Sequence, residues 1–110
     1  MAAIVDLSEH TFYIHVGDTY PAIKEQLIDD EGAVIDLNSC SVIFQLEGAC
    51  TVESVAAITD ADNGKVSYSW QAGDLPAGGL CLRRWKVTTG AGKVFHVPNF
   101  GDGYPVIVAD

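Results

Sequence analysis

Apolar and polar residues alternate along much of the chain with a period of two, the spacing of a β-strand with one buried face. The clearest run is Val66-Ser67-Tyr68-Ser69-Trp70, in which large apolar residues alternate with serine. Residues 11–16, 42–46 and 81–88 alternate in the same way, Ile23 and Leu27 share another run, and a last apolar run covers 106–108. The pattern therefore predicts a series of short strands.

Turn-forming residues separate these runs at short intervals. The turns are predicted at Asp29–Gly32, Asp60–Gly64, Pro76–Gly79, Gly90–Gly92 and Pro98–Pro105. Asn63-Gly64 is the strongest hairpin signal among them, because both residue types tolerate positive φ. Residues 52–57 have helical spacing but are too few to predict a helix. About seven or eight strands with a turn roughly every 8 to 12 residues predict an all-β, immunoglobulin-like antiparallel β-sandwich.

One charged residue interrupts the apolar side of a strand. Arg83 falls on the same side of the 81–88 run as Cys81 and Trp85, whereas Arg84 and Lys86 share the other side. The pattern predicts either a bulge in this strand or an arginine that lies beneath the rim of the sheet.

The length of 110 residues predicts a single β-sandwich domain over residues 1–110. Residues 10–108 form the predicted sandwich, and residues 1–9 are expected to be an N-terminal arm or edge strand. Ile4, Val5 and Leu7 make that arm apolar enough to order against a neighbouring subunit or a sheet edge. No apolar run reaches the roughly 18 residues of a membrane-spanning helix, so no membrane partner is predicted.

The charge of the chain is strongly negative, with 15 acidic and 6 basic residues and a formal net charge of −9. This balance argues against a nucleic-acid partner bound through its phosphates. Residues 1–64 hold 12 acidic residues and 1 basic, whereas residues 65–110 hold 3 acidic and 5 basic. Either folding mixes the two halves, or Arg83, Arg84 and Lys86 form a basic stripe that docks onto an acidic neighbour.

Catalytic and metal-binding motifs are not apparent. His10, His15 and His96 lie near no G-x-S-x-G nucleophile turn. Asp60–Gly64 begins like a calcium loop, but Gln71 stands where the bidentate glutamate is needed, so a polar hairpin turn is the interpretation. Cys40, Cys50 and Cys81 show no C-x-x-C spacing and are expected to be free, buried thiols. We therefore predict no enzyme, no catalytic residue, no cofactor and no metal.

An ordered series of turn and strand residues extends along most of the chain. It consists of Asp18-Thr19-x-Pro21, Leu27-x-Asp29-x-x-Gly32, Ile35-Asp36-Leu37, Val42-x-Phe44, Asp60-x-x-x-Gly64-x-Val66-x-Tyr68-x-Trp70, Gly73-Asp74, Gly79-x-Cys81-x-x-x-Trp85-x-Val87-Thr88 and Pro98. This series resembles the immunoglobulin-like N-terminal domain of upper baseplate proteins of tailed bacteriophages, which also occurs in prophage tail regions. The resemblance covers residues 16 to 108. Cys81 and Trp85 depart from it, since the family more often has tyrosine and phenylalanine there.

The resemblance implies a non-enzymatic structural component of a tailed phage virion, assembled in the host cytoplasm and docked onto tail or baseplate proteins. Its partners would be other virion structural proteins, present with it in multiple symmetric copies. Two alternatives stay open: a capsid decoration (cement) protein, and a carbohydrate-binding adhesion module using aromatic residues among Tyr13, Tyr20, Phe95, Phe100 and Tyr104.

Four residues are predicted to form the contact surface in the particle. Phe100 and Tyr104 lie in the glycine-framed loop between Pro98 and Pro105, which is expected to expose both rings as interface anchors. Arg84 and Lys86 point to one side of their strand and are expected to guide docking electrostatically.

Overall fold

A computed structural model describes residues 11–29, 31–98 and 103–110. These residues contain nine strands and a 3-10 turn over Ala61–Asn63. The strands are β1 (Phe12–His15), β2 (Ile23–Gln26), β3 (Ser41–Gly48), β4 (Val52–Val55), β5 (Ala57–Asp60), β6 (Lys65–Tyr68), β7 (Gly79–Thr88), β8 (Val94–Val97) and β9 (Tyr104–Ala109). The predicted all-β class is confirmed.

The strands form two sheets. The larger sheet has six strands in the order β1-β9-β7-β3-β4, with β8 also paired to β7. Because β3 follows one edge of β7 from Cys81 to Thr88, β8 and β9 share the opposite edge. The smaller sheet has the order β2-β6-β5. The β1–β9 pair is parallel, which differs from the purely antiparallel arrangement that was expected, and the other strand pairs are antiparallel.

Aromatic residues join the two sheets into a sandwich. Phe44 of β3 stacks on Tyr68 of β6 with ring centroids 4.6 Å apart, and it contacts Trp85 of β7 at 5.0 Å. Trp70, just after β6, meets Phe44 edge-on at 5.5 Å. Offset and edge-on contacts of this kind add to the stabilisation that ring burial provides. The alternation predicted for Val66, Tyr68 and Trp70 is confirmed, since all three are buried.

The hairpin predicted at Asp60–Gly64 joins β5 to β6, with the 3-10 turn inside it. Gly64 has φ 66° and adopts the left-handed conformation that the Asn-Gly sequence predicts. A Cβ at this position would also lie 2.8 Å from the carbonyl oxygen of Leu27 and 2.7 Å from that of Ile35. The glycine therefore allows both a tight turn and a close approach of neighbouring backbone.

One local expectation was wrong, and one open alternative is now decided. The described residues contain nine strands instead of seven or eight, because residues 52–57 form β4 and the start of β5. Ala56 lies between the two strands, is buried, and donates its N–H to the carbonyl of Val42 at 2.9 Å. Of the two alternatives predicted for Arg83, the bulge is excluded, because β7 pairs with β3 without a register shift from Cys81 to Thr88, and the buried arginine is observed.

Candidate interaction surface

The outer face of the larger sheet carries Arg84 and Lys86. Along β7 the residues from Cys81 to Val87 alternate between buried and half-buried, which places these two side chains on the side away from the core. Arg84 lies opposite Gln45 of β3, and Gln45 in turn lies opposite Glu53 of β4, whose carboxylate accepts the Gln45 amide at 2.8 Å. The predicted outward direction of Arg84 and Lys86 is confirmed.

The basic stripe is nevertheless interrupted by residues from the acidic half of the chain. Gln45, Glu47, Leu82 and Arg84 line a shallow depression on this face. Folding therefore mixes the two halves of the sequence here, as one of the two interpretations of the charge pattern required. The outer face therefore carries both acidic and basic side chains, with Glu47 and Arg84 lining the same depression.

An apolar row crosses the same face at one end of the sheet. Tyr13 of β1, Ile107 of β9 and Leu80 of β7 are successive cross-strand neighbours. Tyr13 is 71% exposed and Leu80 is 56% exposed. Leu82 and Pro105, paired in register, lie two residues further along. We call Tyr13, Ile107, Leu80, Leu82 and Pro105 the apolar row.

Tyr104 does not belong to this surface, and the expectation that its ring is exposed was wrong. Tyr104 begins β9, in which it shares the inward side with Val106 and Val108, and it is 8% exposed. Its ring lies beneath Arg83, whose guanidinium carbon is 5.4 Å from the ring centroid. Burial raises the pKa of Tyr104, and the negative charge of Glu25 raises it further. Phe100 lies outside the described residues, so its role as an anchor stays a prediction.

Arg83, for which the sequence left open a bulge or a buried side chain, forms a buried ion pair with Glu25. Arg83 Nε donates to Glu25 Oε1 at 3.0 Å, and its Nη1 donates to the carbonyl of Pro105 at 2.9 Å. Trp85 Nε1 donates to the same Glu25 oxygen at 2.8 Å. The two charged side chains are 5% and 8% exposed. Opposite charge and several hydrogen bonds are what make a buried arginine tolerable.

Glu25 was missed as a core residue, although the signal for it was present. Ile23, Glu25 and Leu27 are spaced by two, so the acid lies on the apolar side of its strand just as Arg83 does in β7. Two charges of opposite sign on the inward sides of two strands predict a cross-sheet pair. The packing of the smaller sheet on the larger one brings Glu25 to Arg83.

Four of the aromatic residues considered for a glycan site lie in the described part of the chain, and these four do not form a common platform. Tyr13 lies on the outer face of β1, Tyr20 is exposed in the connection between β1 and β2, and Phe95 packs partly against the core. With Tyr104 buried, these residues do not share one surface. The placement of these four described residues therefore does not support the carbohydrate-binding alternative, and Phe100 lies outside the described residues.

The acidic turn Asp60–Gly64 uses its side chains within the fold. Asn63 Nδ2 donates to Asp60 Oδ2 at 2.9 Å, and Asn38 Nδ2 donates to Asp62 Oδ1 at 2.7 Å. Across residues 11–29, 31–98 and 103–110, histidine, cysteine and carboxylate side chains do not gather in a group of three or more that could hold a metal ion. The described part of the chain contains no helix with the length and hydrophobicity required to span a bilayer.

Comparison with known proteins identifies a structural neighbour. No protein-family model matches the chain, and no curated protein matches it in sequence. Among solved structures, the N-terminal domain of phage TP901-1 ORF48 superposes with a TM-score of 0.68. The alignment covers 91% of this chain and 85% of that one, at 18% sequence identity. The chain shares its fold with a domain of a phage protein.

Proposed function

We propose that the chain is a non-enzymatic structural module of a tailed phage particle, at the tail or baseplate. The observation that carries the proposal is the fold shared with the phage TP901-1 ORF48 domain over 91% of the chain. The ordered series from Asp18 to Pro98 adds independent support, because it resembles the immunoglobulin-like domain of upper baseplate proteins. Such a module acts by presenting surfaces to neighbouring proteins, in copies related by the symmetry of the particle.

The outer face of the larger sheet is the docking surface in this proposal. The apolar row supplies area that gains from removal of water, and Arg84 and Lys86 supply charges that orient an incoming partner. The fitting partner is another virion protein with a partly apolar surface and carboxylates opposite these two basic residues. Tyr104 leaves the proposed contact set, because its ring stabilises the interior beneath Arg83.

Incorporation into particles tests both parts of the proposal. Virions would be produced without the wild-type chain and complemented with the wild type, R84E/K86E or Y13S/L80S, and copies per particle would be counted by quantitative mass spectrometry. We expect the wild type to be present and both variants to be strongly depleted. A total of about a dozen copies fits a tail ring, whereas hundreds would favour capsid decoration.

A matched control is available on the opposite side of the molecule. Lys24 of β2 and Lys65 of β6 are exposed on the outer face of the smaller sheet, so K24E/K65E makes the same change in net charge as R84E/K86E. This control should incorporate normally. If particles complemented with the wild-type chain contained no copies of it after purification, the virion role would be contradicted. Normal incorporation of both outer-face variants would contradict the docking surface and leave the virion role standing.

A further inference from the structure

Two of the three cysteines lie side by side beneath the surface at one end of the sandwich. Cys50 follows β3 in the turn toward β4, and Cys81 lies in β7. The backbone N–H of Cys50 donates to the Cys81 sulfur at 3.2 Å. The Cys50 thiol donates to the carbonyl of Ala77 at 3.1 Å, in the loop that leads into β7. The third cysteine, Cys40, is half-buried and contacts the backbone of Asp36 and Asn38 instead.

A glycine brings the two cysteines together. Gly48, the last residue of β3, pairs with Cys81 and has φ 126°. A Cβ there would lie 2.5 Å from the carbonyl oxygen of Leu80, so the two strands approach more closely than a larger residue allows. The chain then turns at Ala49, which bonds to the Leu80 carbonyl at 3.1 Å and directs Cys50 over Cys81.

The pair is covered by a thin layer. Cys50 and Cys81 are 2% and 1% exposed, but the residues around them, Ala49, Thr51, Ala77 and Leu80, are exposed. A small oxidant therefore needs a local opening of the β3–β4 turn to reach a sulfur atom, and not unfolding of the sandwich. Burial raises the pKa of Cys81, and this effect outweighs the hydrogen bond from the Cys50 N–H, which lowers the pKa. The thiolate fraction at neutral pH is correspondingly small, so oxidation is slow.

We infer that Cys50 and Cys81 are a disulfide-forming pair that closes when the folded chain meets a peroxide. One sulfur attacks the O–O bond of the peroxide and becomes a sulfenic acid, with release of one molecule of water from hydrogen peroxide. The second sulfur attacks the sulfenic sulfur, the S–O bond breaks, and a second water leaves. Both thiols are oxidised, the peroxide is reduced, and the product is one S–S bond. It ties the β3–β4 turn to β7 across a separation of 31 residues.

The inference does not depend on the proposed function, although a particle that is assembled in a reducing cytosol and then released would meet these conditions in order. Closure of a loop of this length restricts the unfolded chain. We expect it to raise the melting temperature by on the order of 10 °C.

Peptide mapping of the folded chain after treatment with hydrogen peroxide tests the pair. Cleavage after lysine and arginine places Cys40 and Cys50 together in peptide 25–65 and Cys81 in peptide 66–83. The experiment therefore uses the C40S variant, in which a link between these peptides identifies Cys50–Cys81. We expect this linked peptide with the loss of two hydrogens, and a higher melting temperature that returns to its starting value on reduction.

Three controls decide the outcome. The C40S/C50S and C40S/C81S variants should show neither the link nor the shift in melting temperature. In the wild-type chain, oxidation of Cys40 reports that the peroxide was active. The inference would be overturned if Cys40 were oxidised while Cys50 and Cys81 stayed reduced. It would also be overturned if Cys50 or Cys81 ended as a sulfinic or sulfonic acid without the link, or if the link formed only in urea.

Discussion

Arg83 and Arg84 are neighbours on β7, yet the alternation of the strand assigns them opposite surroundings. Arg83 points into the sandwich, where Glu25, the Pro105 carbonyl and the Tyr104 ring accept its charge. Arg84 points outward, beside the polar side chains of β3 and β4. A charge in the core needs a fixed partner because burial removes it from bulk water, whereas a partly exposed charge on the outer face retains part of its hydration. The inner face is therefore expected to determine stability, and the outer face to determine association.

The largest effect is expected from the aromatic part of the inner face. Trp85 is fully buried against Phe44, and its N–H binds Glu25. Trp85→Ala should lower the free energy of unfolding by about 3–5 kcal/mol, because it leaves a cavity and removes one of the donors to Glu25. Urea denaturation checks this, with Trp85→Phe as the control that keeps most of the packing and loses less. If W85A were as stable as the wild type, Trp85 would not be packed in the core against Phe44.

The buried ion pair should show the next largest effect. Arg83→Met keeps much of the apolar packing but leaves the Glu25 carboxylate buried without its counter-charge, and it should cost about 3 kcal/mol. The double variant E25M/R83M removes both charges and should be more stable than the sum of the single losses predicts. Additive losses in a double-mutant cycle would show that the two side chains are not coupled.

Tyr68 extends the comparison to the smaller sheet, where a buried hydroxyl donates to Asp74 Oδ2 at 2.5 Å. Tyr68→Phe should cost about 1–2 kcal/mol at neutral pH, since Asp74 loses a donor. Burial, followed by the bond to Asp74, raises the pKa of Tyr68 from 10.0 to about 12. The folded chain thus keeps this proton where the unfolded chain loses it.

The pH dependence of stability follows from that difference. The contribution of Tyr68 is fully present below about pH 10 and is lost as the pH rises toward 12. Unfolding measured at several pH values should therefore show a steeper fall between pH 10 and 12 in the wild type than in Y68F. Equal slopes would mean that the Tyr68 hydroxyl has the same proton affinity in both states.

The smallest effect on stability is expected from the outer face. R84A/K86A should change the free energy of unfolding by about 1 kcal/mol or less, because half-exposed charges contribute little. If the proposed docking surface is correct, the same variant should nevertheless be depleted from particles. A loss of stability as large as that of R83M would show that the outer face belongs to the framework and would remove the distinction between Arg83 and Arg84.

The alternation of residues was sufficient to predict the inward side of β3, β6 and β7, and the hairpin at Asn63-Gly64, because each depends on residues adjacent in sequence. Tyr104 was placed wrongly for a related reason. The glycines before it suggested an exposed loop, but pairing of β9 with β7 extends the strand to Tyr104, opposite Arg83, and turns its ring inward. Pairing with β7, which is distant in sequence, overrode the local turn signal.

The sequence by itself determined that this protein is an acidic, all-β sandwich with an aromatic core, since period-two alternation and turn residues are local properties of the chain. Tertiary structure decided which residues share a surface. It brought Glu25 to Arg83, Cys50 to Cys81, and Tyr13 into one row with Ile107 and Leu80. Each of these associations joins residues far apart in sequence, and its register is set by the packing of whole strands. Local alternation indicates which face a residue lies on, as it does for Glu25 and Arg83, but the packing of distant strands decides which residues meet.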